Sequence, residues 1–272
     1  MGTSTKHVCS LPLSMSVLYR TTGIVLSRRD HREVDRWYSV YTPEHGKVEF
    51  LARGGHKPLA KLTPHLEMMA VVDLLLVQGR AYQIVAGVER RQGYHRIYTD
   101  LPRLVLAQNA LHLVDIGTRA DETDPKIYRL LEDWLEFLNQ DLRVSAERAG
   151  FLLGAFSLKL LTLVGYRPEL SHCLGCRQAI VPGSYQWHGL KGGVVCTHCT
   201  TMDQETWFAA RSMSDEALKL LRFGLEEDFV EHLRPHLKAE DLFGFHDAVE
   251  SLMISHFPVI PASSLRAACA VC

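Results

Sequence analysis

The chain has 272 residues, 47% of them hydrophobic and 22% charged, with a formal net charge of −1. This composition excludes a mostly disordered chain and leaves room for one large or two small cores. The longest apolar runs are broken by charge, Leu66–Val77 by Glu67 and Asp73 and Ala155–Tyr166 by Lys159, so no membrane span is expected, nor does the polar N-terminus resemble a signal peptide.

Charge is divided along the chain. Residues 1–96 carry 14 Lys and Arg against 8 Asp and Glu, a net of +6, whereas residues 97–272 carry a net of −7. A basic front and an acidic back point to two modules with different partners. The front reads as strands. Thr22–Ser27 is β-branched, Val34–Tyr41 alternates and is rich in aromatics, and Lys47–Ala52 alternates after the Thr42-Pro43-Glu44-His45-Gly46 turn. Leu66–Val77 reads as a fourth strand, closed by Gln78-Gly79, and Ala81–Arg91 as a fifth. Five short strands with hairpin-type links in about 80 residues fit a five-stranded oligonucleotide-binding (OB) barrel.

The remainder reads as helices. Arg103–Ile116 has an apolar face. Asp124-Pro125 supplies an N-cap and a first-turn proline for Lys126–Asn139, whose Ile127, Leu130, Leu131, Trp134, Leu135 and Leu138 fall on one stripe. Ser145 caps a helix running to about Val164. Ser214 caps another through Phe223, and Asp241–Phe257 makes the last. The expected class is α+β, with six segments. These are an extension (1–15), the barrel (16–96), a first helical part (97–170), a finger (171–205), a second helical part (206–258) and a tail (259–272).

Cys173 and Cys176, then Cys196 and Cys199, form two C-x2-C knuckles with 19 residues between them. That spacing belongs to a four-thiolate zinc site, closed and structural, with no open position for catalysis. The glycines around Tyr185–Val195 suggest a hairpin between the knuckles. Cys9, Cys269 and Cys272 do not fit the spacing.

Enzyme signatures are missing. No G-x-x-x-x-G-K-[ST] and no H-E-x-x-H occurs. His31-Arg32-Glu33 matches the H-x-E of zinc deaminases, but no P-C-x-x-C accompanies it and the second knuckle already completes a metal shell. The acidic run Glu226-Glu227-Asp228 reads as an exposed helical stretch. Instead, cations gather in the front half. Arg28, Arg29, Arg32 and Arg36 lie at the first strand link, Lys47, Arg53, Lys57 and Lys61 on the next hairpin and loop, and Arg90 and Arg91 at the end of the fifth strand. Trp37, Tyr38, Tyr41, Phe50, Tyr82 and Tyr94 are interleaved with them. Basic groups for phosphates and rings for bases are the needs of single-strand binding. Alternation sets Trp37, Ser39 and Tyr41 on one face of the second strand and Arg36, Tyr38 and Val40 on the other, and one face must be internal.

Three features together resemble the RecO family of bacterial DNA repair proteins. They are Thr42-Pro43…Gly46-Lys47 between the second and third strands, the Arg53-Gly54…Lys57 loop, and the order barrel, helices, four-cysteine finger, helices. The likeness runs from about Tyr19 to about Phe257. It implies a cytoplasmic, nucleoid-associated recombination mediator, not an enzyme, that binds single- and double-stranded DNA and anneals complementary strands. The implied partners are RecR and the C-terminal tail of single-stranded DNA-binding protein, with RecA loaded indirectly. For that acidic, hydrophobic tail, Arg143, Arg148 and Lys159 are the candidate cations. The alternative from another class is a zinc-stabilised protein-interaction adaptor that does not bind DNA.

Overall fold

The computed structural model describes residues 18–54, 62–79, 81–120 and 122–257. Lys57, Lys61, the extension, the tail and the three unmatched cysteines lie outside the described residues. Strands β1 (Leu18–His31), β2 (Asp35–Thr42), β3 (Gly46–Ala52), β4 (Val71–Gln78) and β5 (Gln83–Gln92) close into a barrel in the order β1-β2-β3-β5-β4. Every pairing is antiparallel except that of β3 with β5, where Phe50 meets Gln83 and Leu51 meets Ile84 in parallel. This is the connectivity of the OB barrel, and closure leaves no unpaired sheet edge.

The period of two along each strand decides what fills it. Val25, Tyr38, Val40, Val48, Phe50, Val72, Leu74 and Leu76 pack together inside the barrel. Tyr38 and Val40 are therefore the internal face of β2. Tyr41 on the opposite face joins the helical core, together with Ile24 and Leu26 of β1. One sequence expectation fails here. Leu66–Ala70 is not strand: Met69 sits at φ 67° and the β4 ladder begins only at Val71. Leu66 and Ala70 are apolar because they pack into the barrel interior as part of a turn. Their burial mimics a strand, although only Met69 and Ala70 bond to β1, both through Val25.

Helices α1 (His95–Tyr98), α2 (Leu101–Gly117), α3 (Pro125–Leu138) and α4 (Ala146–Leu163) follow. The Asp124 carboxylate accepts the Lys126 N–H at 2.8 Å and Ser145 Oγ accepts the Arg148 N–H at 3.3 Å, so both expected caps form. Asp100 caps α2 by accepting from Arg103 N at 3.1 Å. The apolar stripe of α3 is buried along its length. Helix α4 is buried almost all round, from Ala149 to Leu161, because α2, α3 and the last two helices, α6 (Asp215–Glu226) and α7 (Ala239–His256), all pack on it. Gly154 makes this possible, since a Cβ there would fall 2.4 Å from the Phe245 ring.

Barrel and helices share one core and a polar seam. Asp115, near the end of α2, accepts Ser27 Oγ at 2.8 Å and Ser39 Oγ at 2.7 Å. Lys47 Nζ donates to the Asp115 carbonyl at 2.6 Å and stands 3.8 Å from its carboxylate. Tyr41 Oη donates to the Asp124 carbonyl at 3.1 Å, and burial pushes its phenol up to about 12, keeping it a donor. Asp115→Ala should cost about 2–4 kcal/mol, since it removes the charged acceptor of two partly buried hydroxyls. Urea denaturation would measure this, and a midpoint equal to wild type would show the seam to be unimportant.

Candidate metal centre and nucleic-acid interface

Between α4 and α6 the chain forms a small sheet of β6 (Tyr185–His188), β7 (Gly193–Cys196) and β8 (Arg211–Ser212), in the order β7-β6-β8, with the short helix α5 (Thr197–Met202) between β7 and β8. Cys173 and Cys176 lie on the turn before this sheet. Cys196 ends β7 and Cys199 sits in α5. Backbone pairing joins the two knuckles, with Leu174 N–H donating to Val194 O at 2.9 Å and Arg177, at φ 63°, turning the first knuckle back. Gly175 is required by close approach, as a Cβ would meet Cys199 Sγ at 3.0 Å and Trp207 at 3.2 Å.

The four sulfurs lie within 4.8 Å of one another, and Cys176 Sγ is 3.8 Å from Cys196 Sγ. Sulfurs about 2.3 Å from one tetrahedral ion stand about 3.8 Å apart, so the donor set fits a single metal ion. Burial alone would raise the Cys173 thiol, but N–H groups of Cys196, Cys176 and Gly175 outweigh it and bring the thiol down to about 6. Cys199 is pushed up to about 12 by burial and then by its three sulfur neighbours. A positive ion between the sulfurs would offset this repulsion and let all four bind as thiolates.

The basic residues divide into groups. Arg28 and Arg29 lie near the end of β1, Arg32 sits in the β1–β2 link at φ 55°, and Arg36 is the second residue of β2. The ladder sets Arg36 opposite Ala52, next to the exposed Arg53. Arg36 Nε donates to Asp30 at 2.9 Å, and Arg29 stands 3.7 Å from Glu49, its side chain 67% exposed. The register places these five positions at one end of the barrel, with Arg28 on the face of Tyr38 and Arg29 on that of Trp37. Arg90 and Arg91 lie on β5, 3.1 Å from Glu67 and 2.8 Å from Asp73 respectively. Lys47 points into the seam at Asp115, away from this group. The Arg29–Glu49 and Arg91–Asp73 pairs are exposed, worth little and readily exchanged, whereas the Arg36 and Arg90 side chains are largely covered.

Among the candidate aromatics, Tyr38, Tyr41, Phe50 and Tyr94 are at most 1% exposed and belong to the core. The seam aspartate Asp115 escapes sequence reading because a lone acid near a helix end has no signature.

An OB-type barrel joined to a helical body with a four-cysteine finger defines a class of multidomain binding protein in which loops and strand faces of the barrel serve the ligand. Within that class the chain belongs to the RecO family, whose members act in DNA repair. The family's N-terminal model, "Recombination protein O N terminal", matches residues 15–94, and "Recombination protein O C terminal" matches residues 98–242. The chain is 31% identical over 206 residues to the DNA repair protein RecO of Roseiflexus sp. (strain RS-1), covering 76% of this chain and 69% of that one. It is 32% identical over 185 residues to the DNA repair protein RecO of Symbiobacterium thermophilum, covering 67% and 72%. A 26% identical RecO of Dehalococcoides mccartyi aligns over 224 residues, 82% of this chain and 85% of that one. No helix among the described residues is long and apolar enough to cross a membrane.

Proposed function

We propose that the chain is a non-enzymatic recombination mediator of the cytoplasm and nucleoid, binding single- and double-stranded DNA and annealing complementary strands. The observation that carries this reading is that the ladder sets the positions of Arg28, Arg29, Arg32, Arg36 and Arg53 at one end of an OB-type barrel in a DNA repair family. Annealing requires that phosphate repulsion between strands be screened while base edges stay free. Arginines at strand ends and in the β1–β2 link meet both needs. Arg90 and Arg91 on β5 add to these cations, and Lys57 and Lys61 are further DNA-contact candidates from the sequence. The metal is zinc, held by Cys173, Cys176, Cys196 and Cys199 in a structural role.

RecR and the C-terminal tail of single-stranded DNA-binding protein are the partners, with RecA loaded at gaps as the outcome. A cavity of about 580 Å³ between α3 and α4 suits an acidic, hydrophobic tail. Its wall combines Leu130, Phe137 and Phe229 with Arg129, Lys159 and Arg167; Asp133, Glu136 and Asp228 share it. Lys159 Nζ donates to the Leu225 carbonyl at 3.1 Å; burial lowers its pKa, and Asp228 and Glu227 oppose that. Arg148 does not serve here, since its guanidinium donates to the His232 and Pro235 carbonyls, both at 2.7 Å. Arg143 is exposed in the α3–α4 link.

The test is annealing of complementary oligonucleotides coated with single-stranded DNA-binding protein, across salt concentrations. Annealing that weakens as salt rises is the expected result. Absence of annealing together with absence of DNA affinity at low salt would overturn the mediator reading in favour of a protein-interaction adaptor.

A further inference from the structure

We propose that Trp37 and Tyr82 form a base-stacking platform on the barrel that accepts unpaired bases of single-stranded DNA. The inference rests on the DNA-binding reading above and deepens it.

The ladder register shows what part of the barrel is open. On the outer face of β2, Trp37, Ser39 and Tyr41 lie in a row. Ser39 and Tyr41 are covered, the first hydrogen-bonded to Asp115 of α2 and the second to the start of α3. Trp37 stands beyond the helices, opposite Arg29 on β1 and Leu51 on β3. The helical body thus covers one half of the strand 2–3 face and leaves the Trp37 half free. That face and the links between strands 1 and 2 and between strands 4 and 5 are where OB barrels take oligonucleotides.

The rings at this spot come from those same three places. Trp37 is on β2, His31 ends β1 at the first link, and Tyr82 lies in the link between β4 and β5. The Tyr82 ring is 5.4 Å from Trp37 at 74°, and the His31 ring is 5.9 Å away at 72°. Edge-to-face packing fixes the rings without stacking them, and both Trp37 and Tyr82 are only half-buried. The Arg29 guanidinium stands 5.8 Å over the Trp37 ring, and its surface partner Glu49 leaves it able to exchange onto a phosphate. Arg32 and the exposed Arg53 flank the same end. Rings between exposed arginines select a polymer with both π-faces and phosphates. In a duplex the base faces are already stacked on each other, so the platform discriminates for single strands.

The experiment follows the anisotropy of a labelled oligo-dT of about fifteen nucleotides, and of a matching duplex, with intrinsic tryptophan fluorescence read in parallel. Trp134 and Trp187 are buried, at 0% and 2% exposure, and Trp207 belongs to the finger, so the barrel signal is that of Trp37. Wild type should bind oligo-dT with quenching that Trp37→Phe removes. Trp37→Leu and Tyr82→Leu should each lose about tenfold or more in single-strand affinity. Duplex affinity and the salt slope should stay at their wild-type values. Because Trp37 also lies across from Leu51, Tyr82→Leu, which alters a link and not a strand, guards against misfolding. If both variants bind oligo-dT like wild type while arginine variants do not, the platform is wrong and DNA binding stands. If wild type binds neither probe, the DNA-binding reading fails and the platform with it.

Discussion

Cys176→Ser should lose the bound metal and lower the melting temperature by about 10 °C. A structural zinc site supplies folding free energy directly, because the ligands are assembled only in the folded state. Cys176 is exposed, so serine there makes no cavity and no clash, and the effect reports the metal. The consequence spreads beyond the knuckles. Trp187 and Val194 of β6 and β7 belong to the main helical core, and Trp187 Nε1 donates to Ser251 Oγ of α7 at 2.9 Å. Releasing the finger therefore loosens one wall of that core. At about 3–5 kcal/mol lost, and about 2–4 °C for each in a chain of this size, the expected shift follows. Metal analysis should give one zinc per wild-type chain and substantially less in the variant. Full stability with full metal content in Cys176→Ser would overturn the four-sulfur site. Full stability with DNA binding lost would overturn its structural role.

The helical half of the molecule was largely legible because its signals are local. Asp124-Pro125, Ser145 and Ser214 each mark a helix start through a hydrogen bond made within three residues. The cysteine spacing was legible for the same reason, as each knuckle is a local turn. What escaped depends on contacts between distant segments. The two residues of β8 pair with Gln186 and Trp187 and carry no pattern of their own. Leu66 and Ala70 are apolar for the barrel interior, which alternation cannot tell from a strand. Lys47 looked like its basic neighbours in sequence, yet the register of β3 turns it toward Asp115, 68 residues away. The same register resolves the face of β2, separating Tyr38 from Trp37.

Replacing Arg29, Arg32 and Arg53 together by alanine should weaken single-strand binding by about a thousandfold or more at low salt, with each charge-assisted phosphate contact worth about 1.5 kcal/mol. The slope of log affinity against log salt should fall by about 2, as each lost contact removes about 0.7 on a single strand. Neither effect requires unfolding, since all three side chains are exposed and none sits in the seam. Lys47→Ala is the informative contrast. Its ammonium holds the Asp115 carbonyl, so its loss should lower the urea midpoint and leave the salt slope unchanged. A triple variant with an unaltered slope would remove phosphates from this end of the barrel. A Lys47 variant that alone reduced the slope would move them to the seam side, where the helical body now stands.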